Sequence, residues 1–165
     1  MWDPDSGAGV TTLVGHSDRV ISVAMGRMGD RDVIVSGSWD KTVKVWDPDS
    51  GACVTTLEGH SDRVISVAIG RMGDRDFIVS GSHDYTIKVW DPDSGACVTT
   101  FKCYCTTFKC YTHYFSKVAM GRMGDRDVIV SVDYRHHSVK VWDPDSGACV
   151  TTTALSETPD EVLKI

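Results

Sequence analysis

The sequence has no excess of positive charge and no long apolar run. Its 17 lysine and arginine residues are outnumbered by 23 aspartate and glutamate residues, so the formal net charge is −6. Without a basic stripe, non-specific binding to nucleic acid is not expected. No stretch approaches the length of a membrane-spanning helix, and the N-terminal MWDPDSG lacks the basic and apolar regions of a signal peptide. We therefore expect a soluble, intracellular, cytoplasmic protein with no nucleic-acid or membrane partner.

The sequence also lacks the motifs of catalysis and cofactor binding. There is no nucleophile elbow, so we expect neither an enzyme nor a cofactor. Cysteine is present six times, but Cys53, Cys97 and Cys149 occupy the same position in successive copies of a repeated sequence. That recurrence predicts a small buried apolar side chain at each place. Equivalent positions on separate sheets would be poor disulfide partners.

Tryptophan-aspartate pairs recur along the chain. They stand at Trp2-Asp3, Trp46-Asp47, Trp90-Asp91 and Trp142-Asp143, with spacings of 44, 44 and 52 residues. One unit is therefore repeated three times, with an insertion in the last copy. A period of about 40–45 residues that ends in Trp-Asp and contains Gly-His is typical of a propeller repeat.

Longer stretches of the repeat carry a family resemblance. Gly15-His16 and Gly59-His60 are followed by SGSWDKTVKVWD (36–47) and SGSHDYTIKVWD (80–91). Over about residues 1–153 the chain resembles the WD40-repeat family. The resemblance implies an all-β fold: a partial β-propeller of about three four-stranded antiparallel blades, plus a spare N-terminal strand. Family rings usually hold four to eight blades, which this length does not reach.

The repeat also predicts the boundaries of the units. Residues 1–14 are expected to form an orphan outer strand, followed by blades at 15–57 and 58–101, a degenerate blade with an insertion at 102–153, and a tail at 154–165. The four strands of the first blade are predicted at 19–25, 32–38, 42–47 and 52–57, with a glycine-rich turn at 26–30. The tail resembles a short capped helix or a frayed end.

A set of polar residues recurs with each tryptophan. Its members are His16, Ser36 or Ser38, Asp40 and Trp46 in the first copy, and His60, Ser80 or Ser82, Asp84 and Trp90 in the second. The family resemblance implies that this set holds the loops of a blade together. A catalytic triad is the alternative, but it would need an exposed nucleophile and an oxyanion site.

The third copy departs from the pattern. Residues 99–105 and 106–112 are a tandem duplication, Cys110-Tyr111 replaces Gly-His, and His136 replaces the turn aspartate. Both polar partners of Trp142 are therefore expected to be lost, and this blade to be the least stable. A weak metal-ligand hypothesis rests on four residues, Cys103, Cys105, Cys110 and His113. Their spacing matches no paired zinc motif, so a plain loop is the expectation.

Function is expected in the loops. The family resemblance implies a non-catalytic scaffold that binds other proteins through the loop-bearing face. The candidate contact residues are Trp39, His83 and Arg135, with Asp18, Arg19, Asp62 and Arg63 beside them. Alternatively, Trp39 packs on a neighbouring loop and the arginines form weak surface ion pairs.

The ends of the stack are expected to be apolar. Ile21 and Val23, or their copies Val118 and Met120, would be exposed there, which predicts association with a second copy, as a six-blade dimer, or with the missing part of a longer polypeptide. Two other readings of the whole chain remain: a truncated or decaying fragment without independent function, and a cysteine-histidine metalloenzyme.

Overall fold

The computed structural model describes residues 11–102, 115–133 and 138–154, and these residues form strands joined by turns. The strands in the described residues are β1 (Val20–Met28), β2 (Arg31–Ser38), β3 (Val43–Trp46), β4 (Cys53–Leu57), β5 (Val64–Met72), β6 (Arg75–Ser82), β7 (Thr86–Trp90), β8 (Cys97–Lys102), β9 (Phe115–Met123), β10 (Arg126–Asp133), β11 (Ser138–Trp142) and β12 (Cys149–Ala154).

The strands form three four-stranded antiparallel sheets. Their orders are β1-β2-β3-β4, β5-β6-β7-β8 and β9-β10-β11-β12, so each sheet is a simple meander. We call these sheets blade 1, blade 2 and blade 3. The predicted all-β architecture of three blades is confirmed.

The first turn of blade 1 lies later than predicted. β1 continues through Gly26 to Met28, and the turn is made at Gly29, which has a φ of 58°. Gly26 stays in the strand because it pairs with Val33 in the ladder of β1 and β2, as its equivalents Gly70 and Gly121 do in β5 and β9. The prediction of a turn at 26–30 was therefore wrong at its start, since the ladder continues to Met28 and the chain turns only at Gly29.

The apolar core lies between the blades rather than within one. Valines of β2 and β3 in blade 1 meet Val64, Val67, Ile78 and Trp90 of blade 2. Phe77, Val79, Ile87, Val89 and Phe101 of blade 2 meet Val118, Ile129 and Trp142 of blade 3. Blade 2 thus buries its two faces against blades 1 and 3, which explains why its inner strands are apolar on both sides.

Residues 11–13 lie where a preceding blade would place its outer strand. A Cβ built on Gly51 would lie 3.1 Å from Thr11 Oγ1 and 3.7 Å from Leu13 Cδ2. One repeat later, Gly95 has the same relation to Thr55 and Leu57 of β4. Residues 11–13 therefore lie in the place expected of the spare strand, although they are not themselves assigned to a strand, and residues 1–10 lie outside the described residues.

The recurring cysteines are exposed, not buried. Cys53, Cys97 and Cys149 open the outer strands β4, β8 and β12 and all are solvent-exposed. An outer strand reaches the core only at its end, where Leu57 and Phe101 are buried. The expectation that these cysteine side chains are buried was wrong, because the outermost strand has no neighbour to cover its beginning.

Candidate interaction face and its supporting network

A chain of hydrogen bonds runs through blade 1. The Trp46 indole N–H donates to Ser36 Oγ at 2.8 Å, and Ser36 Oγ lies 2.7 Å from His16 Nε2. His16 Nδ1 lies 2.7 Å from Asp40 Oδ2. Because Asp40 is an acceptor, the proton is on Nδ1, and the Ser36 hydroxyl donates to Nε2. Every polar group of the set has a partner.

Blade 2 repeats this arrangement. Trp90 donates to Ser80 at 2.8 Å, and His60 lies 2.7 Å from Ser80 and 2.8 Å from Asp84. Each imidazole also contacts its tryptophan edge-on, with ring centroids 5.9 Å apart in both blades. The sequence left two serines open in each copy, and the structure brings only the first, Ser36 or Ser80, to the imidazole.

The second serine of each copy has another role. Ser38 Oγ donates to the carbonyl of Asp18 at 3.2 Å and accepts the backbone N–H of Asp40 at 3.1 Å. Ser82 makes the same two bonds with Asp62 and Asp84. These hydroxyls tie the loop that precedes the first strand to the loop that follows the second.

The network lowers the pKa of its carboxyl groups. Burial by itself raises the pKa of Asp40, but hydrogen bonds from Thr42, His16 and the Ser17 backbone outweigh it and hold that pKa far below its ordinary value. Burial likewise opposes the change at Asp84, where His60 and Thr86 lower the pKa. Both carboxyls are therefore ionised acceptors at neutral pH.

Trp142 of blade 3 keeps one polar partner. Its indole N–H donates to Ser131 Oγ at 2.9 Å, and its ring stacks on Phe101 at a centroid distance of 5.8 Å. The serine of the set is therefore retained, one residue farther from the tryptophan than in the other copies, while the expected loss of the histidine and aspartate partners stays a prediction. Residues 110, 111 and 136, which replace the Gly-His pair and the aspartate, lie outside the described residues.

The network supports the loops that carry Trp39. The Trp39 N–H donates to the Arg19 carbonyl at 2.9 Å, which aligns the end of β2 with the start of β1. The half-buried ring lies 4.9 Å from the Arg19 guanidinium carbon and 4.0 Å from that of Arg63, measured to the ring centroid. Arg63 belongs to blade 2, so Trp39 spans the junction of two blades.

The other predicted contact residues occupy equivalent places. His83 donates its backbone N–H to the Arg63 carbonyl at 3.0 Å, as Trp39 does to Arg19. Asp18 and Asp62 accept the backbone N–H of the arginine that follows each of them, at 2.7 Å. We call this end of the blades, with Trp39, His83, Arg19 and Arg63, the loop face. Arg135 lies outside the described residues.

The proposed metal ligands cannot be placed. Cys103, Cys105, Cys110 and His113 all lie outside the described residues. Within the described ranges, no group of three or more histidine, cysteine or acidic side chains is arranged to hold a metal ion. The described part of the chain also contains no helix that is long and apolar enough to cross a membrane.

The opposite end of the blades is acidic. The turn after each tryptophan begins with an aspartate, Asp47, Asp91 or Asp143, that accepts backbone N–H groups two and three residues later. The bond from the serine at the third place is the main cause that lowers the pKa of each carboxyl. Grooves of ≈ 240 Å³ and ≈ 560 Å³ lie beside these turns between successive blades.

Sequence reasoning missed the contacts that join the blades. Asp76 of blade 2 accepts the backbone N–H of Gly29 in blade 1 at 2.7 Å, and Asp127 of blade 3 accepts that of Gly73 at 2.7 Å. Ser22 Oγ and Ser66 Oγ accept the N–H of Val67 and Val118 in the next blade. The available signal was the recurrence of the aspartate in all three copies, as Asp32, Asp76 and Asp127, and of the serine in the first two.

The comparisons with known proteins agree with this geometry. The family model described as WD domain, G-beta repeat matches residues 7–47 and 51–91. No curated protein matches the chain. The two matched segments end at Asp47 and Asp91, directly after the tryptophans of the two complete networks, and a third sheet of the same strand order follows. The chain is therefore a member of the WD40-repeat family.

Proposed function

We propose that this protein is a non-catalytic interaction scaffold that binds partner proteins through its loop face, with Trp39 as the central contact. WD40 repeats suggest such a role, because function on a rigid β scaffold is carried by its loops. The observation that carries the proposal is the position of Trp39 between arginines of two blades.

Trp39 has the properties of an interface anchor. Its ring is half-buried and held against Arg19 and Arg63, so little side-chain freedom remains to be lost on binding. Both arginines are exposed, and among the described residues neither guanidinium has a carboxylate within ion-pair distance. An aromatic ring beside unpaired arginines is the composition that binding hot spots favour.

The histidine-aspartate sets support the scaffold rather than catalysis. Ser36 is 4% exposed and is committed to both Trp46 and His16, so its oxygen is closed to a substrate. A hydrolytic triad needs an accessible nucleophile beside an oxyanion site. We infer that these residues hold the loops that present Trp39 and Arg19.

Comparative capture of partner proteins tests the proposal. Immobilised wild type and Trp39→Ala are exposed to the same lysate, and bound proteins are quantified by mass spectrometry. The matched control is Val54→Ala, which removes a 51% exposed apolar side chain from the outer strand β4. For loss of a hot spot we expect a reduction of about tenfold or more in specific partners with Trp39→Ala only. Equal recovery on all three proteins would exclude Trp39 as the anchor.

Circular dichroism distinguishes a scaffold from a decaying fragment. A scaffold is expected to give a β-sheet spectrum and one cooperative thermal transition. A spectrum of an unfolded chain would favour the decayed repeat instead. Zinc analysis of the purified protein tests the metalloenzyme hypothesis separately. The cytoplasmic location remains a prediction.

A further inference from the structure

Blade 1 exposes the face that blades 2 and 3 bury. Val20, Val23 and Met25 are 47%, 67% and 67% exposed. Their counterparts in blade 2 are covered: Val64 is 0% exposed and Val67 6% exposed, against blade 1. The sequence predicted an exposed pair at Ile21 and Val23 or at Val118 and Met120. The structure exposes the first pair and packs the second pair against blade 2.

Each junction inside the chain is built from the same complementary parts. The receiving blade offers apolar side chains, which fit over two glycines of the preceding blade. Gly37 of blade 1 would place a Cβ 2.7 Å from Val64 and 2.9 Å from Val67, and Gly70 of blade 2 would place one 2.6 Å from Met120. Any side chain at these glycines would clash, so glycine is required for the fit.

Two hydrogen bonds complete each junction. A serine of the preceding blade, Ser22 or Ser66, accepts the N–H of the receiving valine at 3.1 or 3.0 Å. The receiving blade returns a carboxylate, Asp76 or Asp127, to the backbone N–H of the preceding turn glycine. Blade 1 carries the same receiving parts on its exposed face: Val20, Val23, Met25 and Asp32. We call these four residues the acceptor face.

A second copy of the chain is poorly matched to the acceptor face. Its blades 1 and 2 already use their glycine faces inside the chain, and blade 3 carries Lys117 at the serine position and Val132 at the glycine position. Three valines on that side of blade 3, Val128, Val132 and Val141, are also already buried. Two acceptor faces set against each other would offer no glycine to either.

Residues 11–13 limit what can bind. Thr11 and Leu13 lie over Gly51 as Thr55 and Leu57 lie over Gly95, so the place of an outer strand is already taken. The uncovered region corresponds to the three inner strands of a preceding blade. An occupant with a fourth strand would have to displace residues 11–13.

We propose that the acceptor face of blade 1 binds a three-stranded antiparallel sheet of a partner chain, whose inner strand carries Ser-x-Ala-x-Gly and whose second strand carries glycine opposite Val20 and Val23. The binding is a packing of sheet on sheet, in which Met25 enters the space above the partner's first glycine. Asp32 accepts an N–H from the partner's first turn. This surface is separate from Trp39, so the inference does not depend on the loop face.

A peptide from the chain itself can serve as the probe. Residues 59–90 contain the three inner strands β5, β6 and β7 with Ser66, Gly70 and Gly81. We would titrate this synthetic peptide into the full chain and follow amide hydrogen exchange in β1. Docking is expected to slow exchange in Val20–Met28 by about tenfold or more at saturation, because covered strand amides exchange only through opening.

Matched variants separate docking from general adhesion. A peptide with Gly70→Val and Gly81→Val keeps its apolar content but cannot fit, and it is expected to leave β1 unprotected. The protein variant Met25→Asp should lose the protection, whereas Val98→Asp, at a 53% exposed site on the outer strand β8, should keep it. If the peptide aggregates, a fusion protein takes its place in the same comparisons. In that protein residues 59–89 stand directly before Trp2, where they continue the repeat.

Three results would overturn the proposal. Equal protection by the glycine and valine peptides would show adhesion without shape recognition. Protection that persists in Met25→Asp would place the contact elsewhere. A wild-type dimer of about 36 kDa, twice the 18.1 kDa chain, that dissociates with Met25→Asp in sedimentation would identify a second copy as the occupant.

Discussion

At the scale of residues, one carboxylate organises each of the two complete networks. Asp40 accepts N–H groups from His16 and Ser17, and both an N–H and an O–H from Thr42. Such bonds are stronger because the acceptor is charged, and each of the two carboxylate oxygens of Asp40 accepts two of them. A group of this kind links folding to pH.

Stability is expected to fall in acid because of Asp40 and Asp84. Their pKa values are lowered on folding, so their contribution is complete above the ordinary value of 3.8 and is lost as the pH falls below it toward the folded pKa. Urea unfolding at pH 5 and pH 2.5 measures this loss. In Asp40→Asn/Asp84→Asn, the decrease in unfolding free energy over that range should be smaller by at least about 1 kcal/mol.

The threonines provide the matched comparison for this test. Thr42→Ala/Thr86→Ala keeps both carboxylates but removes the hydroxyl bonds at 2.7 and 2.6 Å. Its dependence on pH should lie between those of wild type and the asparagine variant. Identical curves for wild type and the asparagine variant would exclude the networks as the acid-sensitive element.

At the scale of elements, a glycine at one register position decides how closely two blades approach. Gly26, Gly70 and Gly121 are equivalent residues of β1, β5 and β9. A Cβ would meet Ile69 at 3.1 Å on the first and Met120 at 2.6 Å on the second. No described residue lies within 4 Å of a Cβ built on Gly121.

The same substitution should therefore differ in effect between blades. Gly70→Ala forces Met120 and β9 to move, and overpacking of this kind costs about 1–3 kcal/mol. Gly121→Ala meets no such contact and restricts the unfolded chain, so a gain of up to about 1 kcal/mol is expected. Chemical unfolding of both variants checks the difference, and equal destabilisation would contradict the proposed packing of the junction.

At the scale of the whole molecule, the described blades form a linear array in which each contacts only its neighbours. Blade 2 is packed on both faces, against blade 1 through Val64 and Val67 and against blade 3 through Phe77 and Phe101. In such arrays stability is approximately the sum of the terms for the units and for the junctions between them. A weakened junction should therefore uncouple one unit from the others.

Amide exchange in Gly70→Ala tests this independence. The substitution weakens the junction between blades 2 and 3, so exchange in β9–β12 should accelerate by about tenfold for each 1.4 kcal/mol of junction energy lost. Exchange in β1–β4 should stay close to that of wild type. A uniform acceleration across all blades would instead indicate one cooperative unit.

Much of the fold could be predicted because recurring residues mark where each repeat begins and ends. Four tryptophan-aspartate pairs, alternating valines and clusters of turn residues predicted the meander of each blade, and the recurring histidine, serine and aspartate pointed to the polar set. Trp39 and its arginines could be identified as loop residues, although their contact across two blades could not. Predictions failed at Gly26, where the ladder of β1 and β2 continues to Met28, and at Cys53, where the outer strand has no neighbour to cover its beginning.

The sequence by itself determined the local order of strands and turns, since alternation and turn chemistry act within a few residues of each other. Only the tertiary structure decided which serine meets each histidine, which glycines receive a neighbouring side chain, and which apolar face stays exposed. The serine contact depends on how the strands of one blade pair, whereas the other two outcomes depend on the stacking of separate blades. Identical copies such as Val23 and Val67 differ only in what lies beside them. Whether a residue is buried depends on the blade that packs beside it, and the repeated sequence does not indicate which copy has such a neighbour.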